Sequence, residues 1–339
     1  MKTLSYVGPE KVEVREVAVP DLKDGQVRIR VKYCGVCGSD IVIYSGEHPR
    51  AKAPLVLGHE FVGVIDEVKS QSGKFKVGDR VCAYPLISCG ECYVCKEGTP
   101  HVCKTLKLIG IDVDGGMAEY VNCDENVLFK LDDSVPNKVA AVVEPLAVVI
   151  RTIHRAKFKT SDRAVVIGAG PIGILTAMVL KNSGASMIII SDIDEGRLKM
   201  CQELGFETVN VKKQNLVDFV NERTEGIGAD VVFECSGAEV SALEITDLCR
   251  IGGVICMTAN HKRPHAVNLQ AVSFKEITIV GSRVYTMKEF GQAVQYANQI
   301  KNDLEKLVTH VIPLSNAENV FDLIKDPNEN TVKVIIDCE

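Results

Sequence analysis

The sequence lacks the features that mark membrane-bound, secreted and nucleic-acid-binding proteins. No apolar run reaches the roughly 20 residues that span a bilayer, and the opening segment MKTLSYVGPEKVEV has no apolar stretch typical of a signal peptide. The formal net charge is −6, which provides no basic surface for nucleic acid or an anionic membrane. Internal repeats and low-complexity segments are also absent. We therefore expect a cytoplasmic globular protein.

Length and cysteine content set the next limits. A chain of 339 residues is long enough for two domains, each with its own hydrophobic core. It contains 13 cysteines, and without an export signal we interpret these as thiols and metal ligands rather than disulfides.

The first part of the chain alternates between apolar and charged residues. In KVEVREV and QVRIRVKY every second position is Val or Ile, and FVGVIDEV and VGDRVCAY follow the same pattern. A period of two is typical of strands with one solvated face. Residues 1–84 are therefore predicted to form a small, mostly antiparallel β domain.

The segment 34–60 contains three different donor types. Cys37, His59 and Glu60 offer sulfur, nitrogen and oxygen, a mixture that suits Zn²⁺ in an open catalytic site. Each residue alone has an ordinary interpretation: Cys37 as a small buried hydrophobe, and His59 and Glu60 as a solvated turn after Gly58. A catalytic metal site is the hypothesis that unites them.

Four cysteines follow within a short loop, SCGECYVCKEGTPHVCK, spaced C-x2-C-x2-C-x7-C. Four thiolates can close a tetrahedron around zinc and leave no position for substrate, so the loop predicts a structural zinc site. The alternatives are an iron–sulfur cluster or a pair of redox disulfides. The predicted ligands are Cys89, Cys92, Cys95 and Cys103.

The stretch 163–184 is an apolar strand, a glycine turn and an apolar helix. Its G-x-G-x-x-G motif has the context that dinucleotide binding requires: a tight turn, close backbone approach to a pyrophosphate, and close packing of helix on strand. The predicted cofactor contacts in this turn are Gly168, Gly170, Pro171, Ile172 and Gly173.

A second apolar strand ends in an acid. Asp192 follows the glycine turn at the chain separation at which an acidic residue binds the ribose hydroxyls of a dinucleotide. Its negative charge would repel the 2′-phosphate of NADP. NAD is therefore predicted, although Arg197 nearby could accept such a phosphate. Strands and helices alternate up to residue 284, which predicts a doubly wound parallel α/β sheet. The last strand, TVKVIIDC, is assigned to the first domain. The predicted domains are thus 1–150 with 285–339, and 151–284.

The order of motifs resembles a known family. CGVCGSD, GHEFVG, the four-cysteine loop, EPLA and GAGPIG occur in that order, as in the zinc-containing medium-chain alcohol dehydrogenases, over essentially the whole chain. The glutamates at 60 and 144 are most similar to those of the sorbitol and threonine dehydrogenase branch. The resemblance implies a GroES-like catalytic domain, a Rossmann domain, two zinc ions per chain and a homotetramer or homodimer. It implies hydride transfer between NAD and a secondary alcohol of a polyol, sugar or sugar acid, which could be phosphorylated.

The resemblance also implies roles for individual residues. Cys37, His59 and Glu60 match the catalytic zinc ligands, and the loop cysteines match the structural site. Glu144 matches a side chain that can ligate the zinc, exchange with Glu60 or act through water. Ser39 matches the hydroxyl that bonds to the substrate oxygen and starts a proton relay.

Three further residues are candidates for contact with the substrate. Arg283 falls near an arginine that borders substrate and cofactor in polyol dehydrogenases, while Tyr44 and Arg50 lie between the candidate zinc ligands. The neighbouring segment SGEHPRAKAP is either a solvated loop or a basic entrance for an anionic substrate. One position departs from the family: many members have a histidine that passes the proton to solvent where this chain has Val42. Either water takes over, through Glu60 or Glu144, or the ribose hydroxyl delivers the proton by another path.

Two function classes compete with the enzyme. A non-catalytic zinc protein that senses NADH is one, but a sensor has no need of an open zinc site. A zinc-ribbon nucleic-acid binder is the other, and the acidic net charge opposes it. Within the enzymes, an L-threonine 3-dehydrogenase is the alternative. Val42 counts against it, because that branch usually has CGTDVH where this chain has CGSDIV.

Overall fold

The computed structural model describes all 339 residues and divides the chain into two compact units. One unit combines Met1–Ala147 with Tyr285–Glu339, and the other is Val148–Val284. The predicted limits were 150/151 and 284/285, so the first one differs by a few residues within a continuous helix. No helix in the structure is both long enough and apolar enough to cross a bilayer.

The first unit is built mainly from short strands. Apolar and polar residues alternate along them, so each strand buries one face and exposes the other. Strand β3 is its centre, and pairs antiparallel with β5 and β9. Its first elements are β1 (Lys2–Gly8), β2 (Lys11–Glu16), β3 (Gln26–Gly35), α1 (Gly38–Tyr44), β4 (Leu55–Val56), β5 (Glu60–Lys69), β6 (Arg80–Ala83), β7 (Leu86–Ile87), α2 (Tyr93–Lys96), β8 (Lys107–Leu108), β9 (Tyr120–Asp124), β10 (Leu128–Lys130), α3 (Asn137–Ala140) and α4 (Val143–Ala156).

The second unit is a parallel sheet with alternating helices. The strand order is β13-β12-β11-β14-β15-β16. Strands β12 and β13 lie on one side of β11 and strands β14 to β16 on the other, so the order of strand addition reverses between β11 and β14. Its inner strands bury nearly continuous apolar residues, as parallel sheets do. Its elements are β11 (Arg163–Ile167), α5 (Pro171–Asn182), β12 (Met187–Asp192), α6 (Glu195–Glu203), β13 (Glu207–Asn210), α7 (Leu216–Arg223), β14 (Ala229–Glu234), α8 (Glu239–Leu248), β15 (Cys249–Met257), α9 (Leu269–Phe274) and β16 (Thr278–Gly281).

The chain then returns to the first unit. There the strand order is β10-β6-β5-β3-β18-β17, with β18 antiparallel to β3. The predicted fold class is thereby confirmed: a mostly antiparallel β domain and a doubly wound Rossmann domain. The returning elements are α10 (Met287–Gln299), α11 (Lys301–Leu307), β17 (Val308–Pro313), α12 (Val320–Lys325) and β18 (Lys333–Asp337).

A charged cluster joins the amino ends of three strands in the second unit. Asp230 accepts hydrogen bonds from the Arg163 backbone and side chain, both at 2.9 Å, and from Arg250 Nε at 2.5 Å. Partial burial by itself raises the pKa of Asp230, but these bonds lower it from an ordinary 3.8 to about 2. The folded state therefore binds the Asp230 proton more weakly than the unfolded state does.

We expect Asp230→Asn to lower the free energy of unfolding at pH 7 by about 2 kcal/mol. Because the folded pKa is depressed, this stabilisation is complete above the unfolded pKa near 4. It disappears as the pH falls towards 2. Denaturant unfolding of the parent and the variant between pH 7 and pH 3 should show the difference shrinking. Asp133→Asn, at a carboxylate 99% exposed, is the matched control and should be neutral.

Candidate metal and cofactor sites

The pairing of β3 with β5 brings the three predicted zinc ligands together. Cys37 caps the start of α1 directly after β3, and Glu60 opens β5 opposite Gly35. Gly58, directly before His59, makes this arrangement of ligands possible. Its φ is +96°, and a Cβ there would lie 2.5 Å from Cys34 Sγ. Only glycine combines that backbone conformation with such close packing.

The ligand atoms of Cys37, His59 and Glu60 all lie within 4.8 Å of one another. His59 and Glu60 are 4% and 2% exposed. Burial lowers the pKa of the His59 imidazole, yet the charge of Cys37, a hydrogen bond to it and nearby carboxylates raise that pKa well above its ordinary value. His59 Nδ1 has no hydrogen-bond partner. This anionic, incompletely satisfied donor set fits a Zn²⁺ ion.

Asp40 supports this donor set from the first turn of α1. It is fully buried, and its Oδ2 accepts the Cys37 backbone N–H at 2.8 Å. Its Oδ1 has no partner, and burial raises the pKa of its carboxyl although the neighbouring His59 lowers it. A carboxylate beside a ligating histidine usually orients the ring and increases its basicity.

We expect Asp40→Asn to reduce zinc affinity by about 10- to 100-fold with little change in fold. Asparagine keeps an oxygen that can accept from the Cys37 N–H, but it loses the charge that favours a bound cation. Competition with a calibrated chelator measures the affinity. An unchanged zinc affinity would show that Asp40 serves only as a helix cap.

Glu60 has a partner that the sequence did not indicate. Its Oε2 accepts a hydrogen bond from Lys333 Nζ, which also donates to the Val36 carbonyl at 2.9 Å. Lys333 is 2% exposed, and burial lowers its pKa while Glu60 and Cys37 raise it, with a net rise. A Cβ on Gly35 would lie 2.1 Å from Glu60 Oε2, so that glycine makes room for the ion pair.

Glu144 lies in the first turn of α4 and is 8% exposed. Its Oε1 accepts a hydrogen bond from Tyr285 Oη at 2.5 Å. Burial raises the pKa of Glu144 to about 7, with His59 opposing and Glu60 adding to that rise. The side chain is outside the three-ligand cluster but within its electrostatic field.

Ser39 and Val42 follow Cys37 on α1. Ser39 Oγ is buried without a hydrogen-bond partner. A buried hydroxyl that lacks a partner is costly, and a substrate oxygen would satisfy it. Val42 is partly buried and offers no side-chain atom that could relay a proton.

Tyr44 and Arg50 make contacts within the protein. The Tyr44 ring stacks on Phe321 with ring centroids 4.4 Å apart. Arg50 donates to the Leu106 carbonyl at 2.8 Å and lies 3.2 Å from Asp112. Both side chains are thus held by contacts within the protein, and their predicted substrate contacts stay predictions.

The four-cysteine loop has the geometry of a closed metal site. Cys92 Sγ is 3.4 Å from Cys95 Sγ and 3.8 Å from Cys103 Sγ, and Cys103 Sγ is 3.4 Å from Cys89 Sγ. A tetrahedron with Zn–S bonds of about 2.3 Å has sulfurs about 3.8 Å apart. The N–H groups of Cys92 and Glu91 lower the pKa of the Cys89 thiol, which favours a thiolate ligand. All four thiols are free, so the residues fit a structural zinc.

Each glycine of the dinucleotide turn has the property that its predicted role requires. Gly168 has a φ of +101°, and a Cβ on Gly173 would lie 1.8 Å from the Gly168 carbonyl oxygen. A Cβ on Gly170 would meet only open space, so a phosphate can approach the backbone there. Pro171 begins α5, with Ile172 after it, and fixes the first turn of that helix.

Asp192 joins the end of β12 to this turn. Its Oδ2 accepts from the Ala169 N–H at 2.6 Å, and its Oδ1 accepts from the N–H groups of Ile193 and Asp194. Arg197 lies on α6, where its backbone N–H binds Asp194. Arg283 is exposed near the end of the second unit. The residues of this turn fit a dinucleotide.

Three supporting residues were missed from the sequence. Lys333, a lysine among Val and Ile in TVKVIIDC, is an anomaly that could have indicated a buried charge. Asp40 is the third helical residue after Cys37 and could have been identified as a capping partner. Tyr285 has no sequence signal, because only the folded chain brings it to Glu144.

Comparison with known proteins agrees with this geometry. Residues 23–133 match the alcohol dehydrogenase GroES-like domain, and residues 171–299 match the zinc-binding dehydrogenase family. The chain is 37% identical to sorbitol dehydrogenase of Halalkalibacterium halodurans, over 95% of this chain and 94% of that one. It is 34% identical to 2-dehydro-3-deoxy-L-galactonate 5-dehydrogenase of Pseudoalteromonas atlantica, over 100% and 99%.

A solved structure, 2R,3R-butanediol dehydrogenase from Bacillus subtilis, superimposes with a TM-score of 0.91 at 30% identity, covering 99% of both chains. The two family matches and the sheet topology together give this chain a GroES-like domain and a Rossmann domain with the zinc-binding dehydrogenase sequence. The chain therefore belongs to the zinc-containing medium-chain alcohol dehydrogenase family, in the branch that includes sorbitol and threonine dehydrogenases.

Proposed function

We propose that this enzyme transfers a hydride between a secondary alcohol of a polyol, sugar or sugar acid and NAD. The observation that carries the proposal is the cluster of Cys37, His59 and Glu60 with the buried, unpartnered hydroxyl of Ser39 two residues after Cys37. The similarity to a sorbitol dehydrogenase and to a dehydrogenase of a sugar acid supports this substrate class. A cytoplasmic location remains a prediction from the sequence.

The chain's own residues have distinct tasks in this reaction. Cys37, His59 and Glu60 would hold zinc, which when bound supplies a Lewis acid that makes an alcohol more acidic. Ser39 Oγ accepts a hydrogen bond from the alcohol and, as it takes that proton, releases its own hydroxyl proton to water. Glu144, which accepts a hydrogen bond from Tyr285, is a carboxylate that can carry this proton onward through water. Val42, at the place of the family's relay histidine, has no side-chain atom that can carry it.

The cofactor is proposed as NAD because of Asp192. Its carboxylate is fixed by the N–H groups of Ala169 and Ile193, so it cannot turn away from a nucleotide bound at the turn. A 2′-phosphate beside a fixed negative charge is repelled. Kinetics with both cofactors test this, and a preference for NADP would overturn it in favour of Arg197 as a phosphate ligand.

Substrate and metal are tested together. Zinc per chain is measured by mass spectrometry, and NAD⁺ reduction is followed over neutral polyols, sugar acids, their phosphates and L-threonine. The proposal expects two zinc ions per chain and turnover of one polyol or sugar-derived class. Turnover of threonine alone would replace the proposed substrate class. A single zinc ion with no turnover of any alcohol would contradict the catalytic role.

We also propose that the second unit associates with a second copy of this chain through β16. This edge strand leaves one row of backbone groups unpaired, and Phe274, at the end of the preceding helix α9, is 80% exposed. Leu269 and Ile251 are 73% and 72% exposed in the same unit. An edge strand can pair with itself across a two-fold axis and cover such side chains.

Light scattering should show a dimer or tetramer, which Ile279→Pro should dissociate. A monomeric parent protein would contradict this.

A further inference from the structure

Glu234 is the last residue of β14, the strand that neighbours the dinucleotide-binding strand β11. Its side chain is 0% exposed. Burying a carboxylate costs several kcal/mol unless polar partners replace water. The partners of Glu234 therefore indicate what this position requires, and they lie in two different loops.

One carboxylate oxygen fixes the loop 235–238. Oε1 accepts from the Ser236 N–H at 2.9 Å, the Ser236 hydroxyl at 2.5 Å, the Gly237 N–H at 2.9 Å and the Ser241 hydroxyl at 3.1 Å. This loop packs directly on the dinucleotide turn, since a Cβ on Gly168 would lie 3.0 Å from the Ser236 nitrogen. Any shift of the loop would therefore be felt at Gly168.

The same residue fixes the loop 258–268 that follows β15. Its carbonyl oxygen accepts from the N–H groups of Thr258 and Ala259, both at 2.9 Å. Its Oε2 lies 3.1 Å from His261 Nε2, although their orientation does not meet hydrogen-bond geometry. The His261 ring is in turn packed edge-on against His265, with centroids 5.2 Å apart.

We propose that Glu234 is a positioning residue for the cofactor site, with His261 as its partner. Its side chain holds the loop 235–238, and its carbonyl oxygen together with His261 holds the loop 258–268, at the carboxyl edge of the sheet beside β11 before the cofactor arrives. Ligands of doubly wound sheets bind at this edge, at the point where the strand order reverses. Loops that are already ordered need not lose conformational freedom on binding. This inference rests on the proposed use of NAD.

A purely structural role would predict a different result. If Glu234 only stabilised the fold, its loss would lower the melting temperature and leave cofactor affinity unchanged. A positioning role predicts weaker binding of the cofactor with intact zinc and an intact chemical step. The two cases separate when cofactor affinity, turnover and metal content are measured on the same variant.

The experiment titrates NADH, followed by its own fluorescence, into the zinc-loaded enzyme; the chain has no tryptophan to interfere. We expect Glu234→Ala to raise the NADH Kd about tenfold, and Glu234→Gln, which keeps an accepting oxygen, about threefold. The KM for NAD should follow while kcat and zinc content stay close to those of the parent. Glu207→Gln is the matched control, because that carboxylate is 44% exposed and its partner Arg223 lies outside both loops.

His261→Ala carries the test if Glu234→Ala does not fold, because it leaves the Oε1 contacts intact, and about a threefold rise in Kd is expected. Parental NADH affinity in the folded Glu234 variants and in His261→Ala would overturn the inference. So would a fall in kcat without any change in Kd. A parent enzyme that binds no NADH would instead overturn the proposed cofactor, and the inference with it.

Discussion

Replacing Cys37 with serine should sharply reduce turnover and remove one zinc ion per chain while the fold persists. A serine hydroxyl is a poor zinc ligand compared with a thiolate, so the remaining His59 and Glu60 would bind the ion weakly. We expect kcat/KM to fall by about 10³-fold, equivalent to about 4 kcal/mol of transition-state stabilisation. Serine is also a favourable residue at the start of a helix, so α1 should form normally.

The matched control for this variant is Cys103→Ser in the four-cysteine loop. It should also lose one zinc ion, but its main effect should be a lower melting temperature, because a closed four-thiolate site contributes folding energy. Metal analysis, thermal unfolding and kinetics on the two variants separate the sites. Full activity together with full zinc content in Cys37→Ser would contradict the assignment of the catalytic ligand.

The second large effect is expected at Lys333. Lys333→Met leaves the buried Glu60 carboxylate without its cation, and breaking a buried pair in this way costs about 3–5 kcal/mol. In the zinc-free protein the melting temperature of the first unit should therefore fall by about 10 °C. Zinc should restore much of this loss, because the metal supplies the missing positive charge.

A double variant separates charge from packing. Lys333→Met with Glu60→Gln removes both charges, and in the zinc-free protein it should be more stable than Lys333→Met alone. Thermal unfolding of the parent, Lys333→Met, Glu60→Gln and the double variant, each with and without zinc, completes the cycle. Equal destabilisation in the single and double variants would show that Lys333 acts through its packing and not through Glu60.

The sequence specified the local chemistry of this protein. Spacing alone predicted the four-thiolate loop, because its ligands are close along the chain and short loops restrict their separation. The glycine turn was also readable, since a strand, three glycines and a helix are consecutive. Alternation of period two and the later series of strands and helices predicted the fold class, which the structure confirms.

The sequence did not predict which distant residues contact the site residues. Lys333 meets Glu60 only because β18 returns to pair with β3, and Tyr285 reaches Glu144 only after the chain has left the second unit. Arg50 is a further case. Its basic neighbourhood predicts an anionic substrate, and that prediction stands beside a partner, Asp112, which the sequence did not indicate.

The sequence by itself thus determined the family, the domain types and the residues that can carry zinc and dinucleotide chemistry. Only the tertiary structure decided which of their pKa values are shifted, which of their polar atoms have hydrogen-bond partners and which contacts fix their side chains. The physical reason is that ligand type and local spacing are properties of neighbouring residues. Burial and ion pairing depend on contacts between residues far apart in the chain, such as Glu60 with Lys333 and Glu234 with His261.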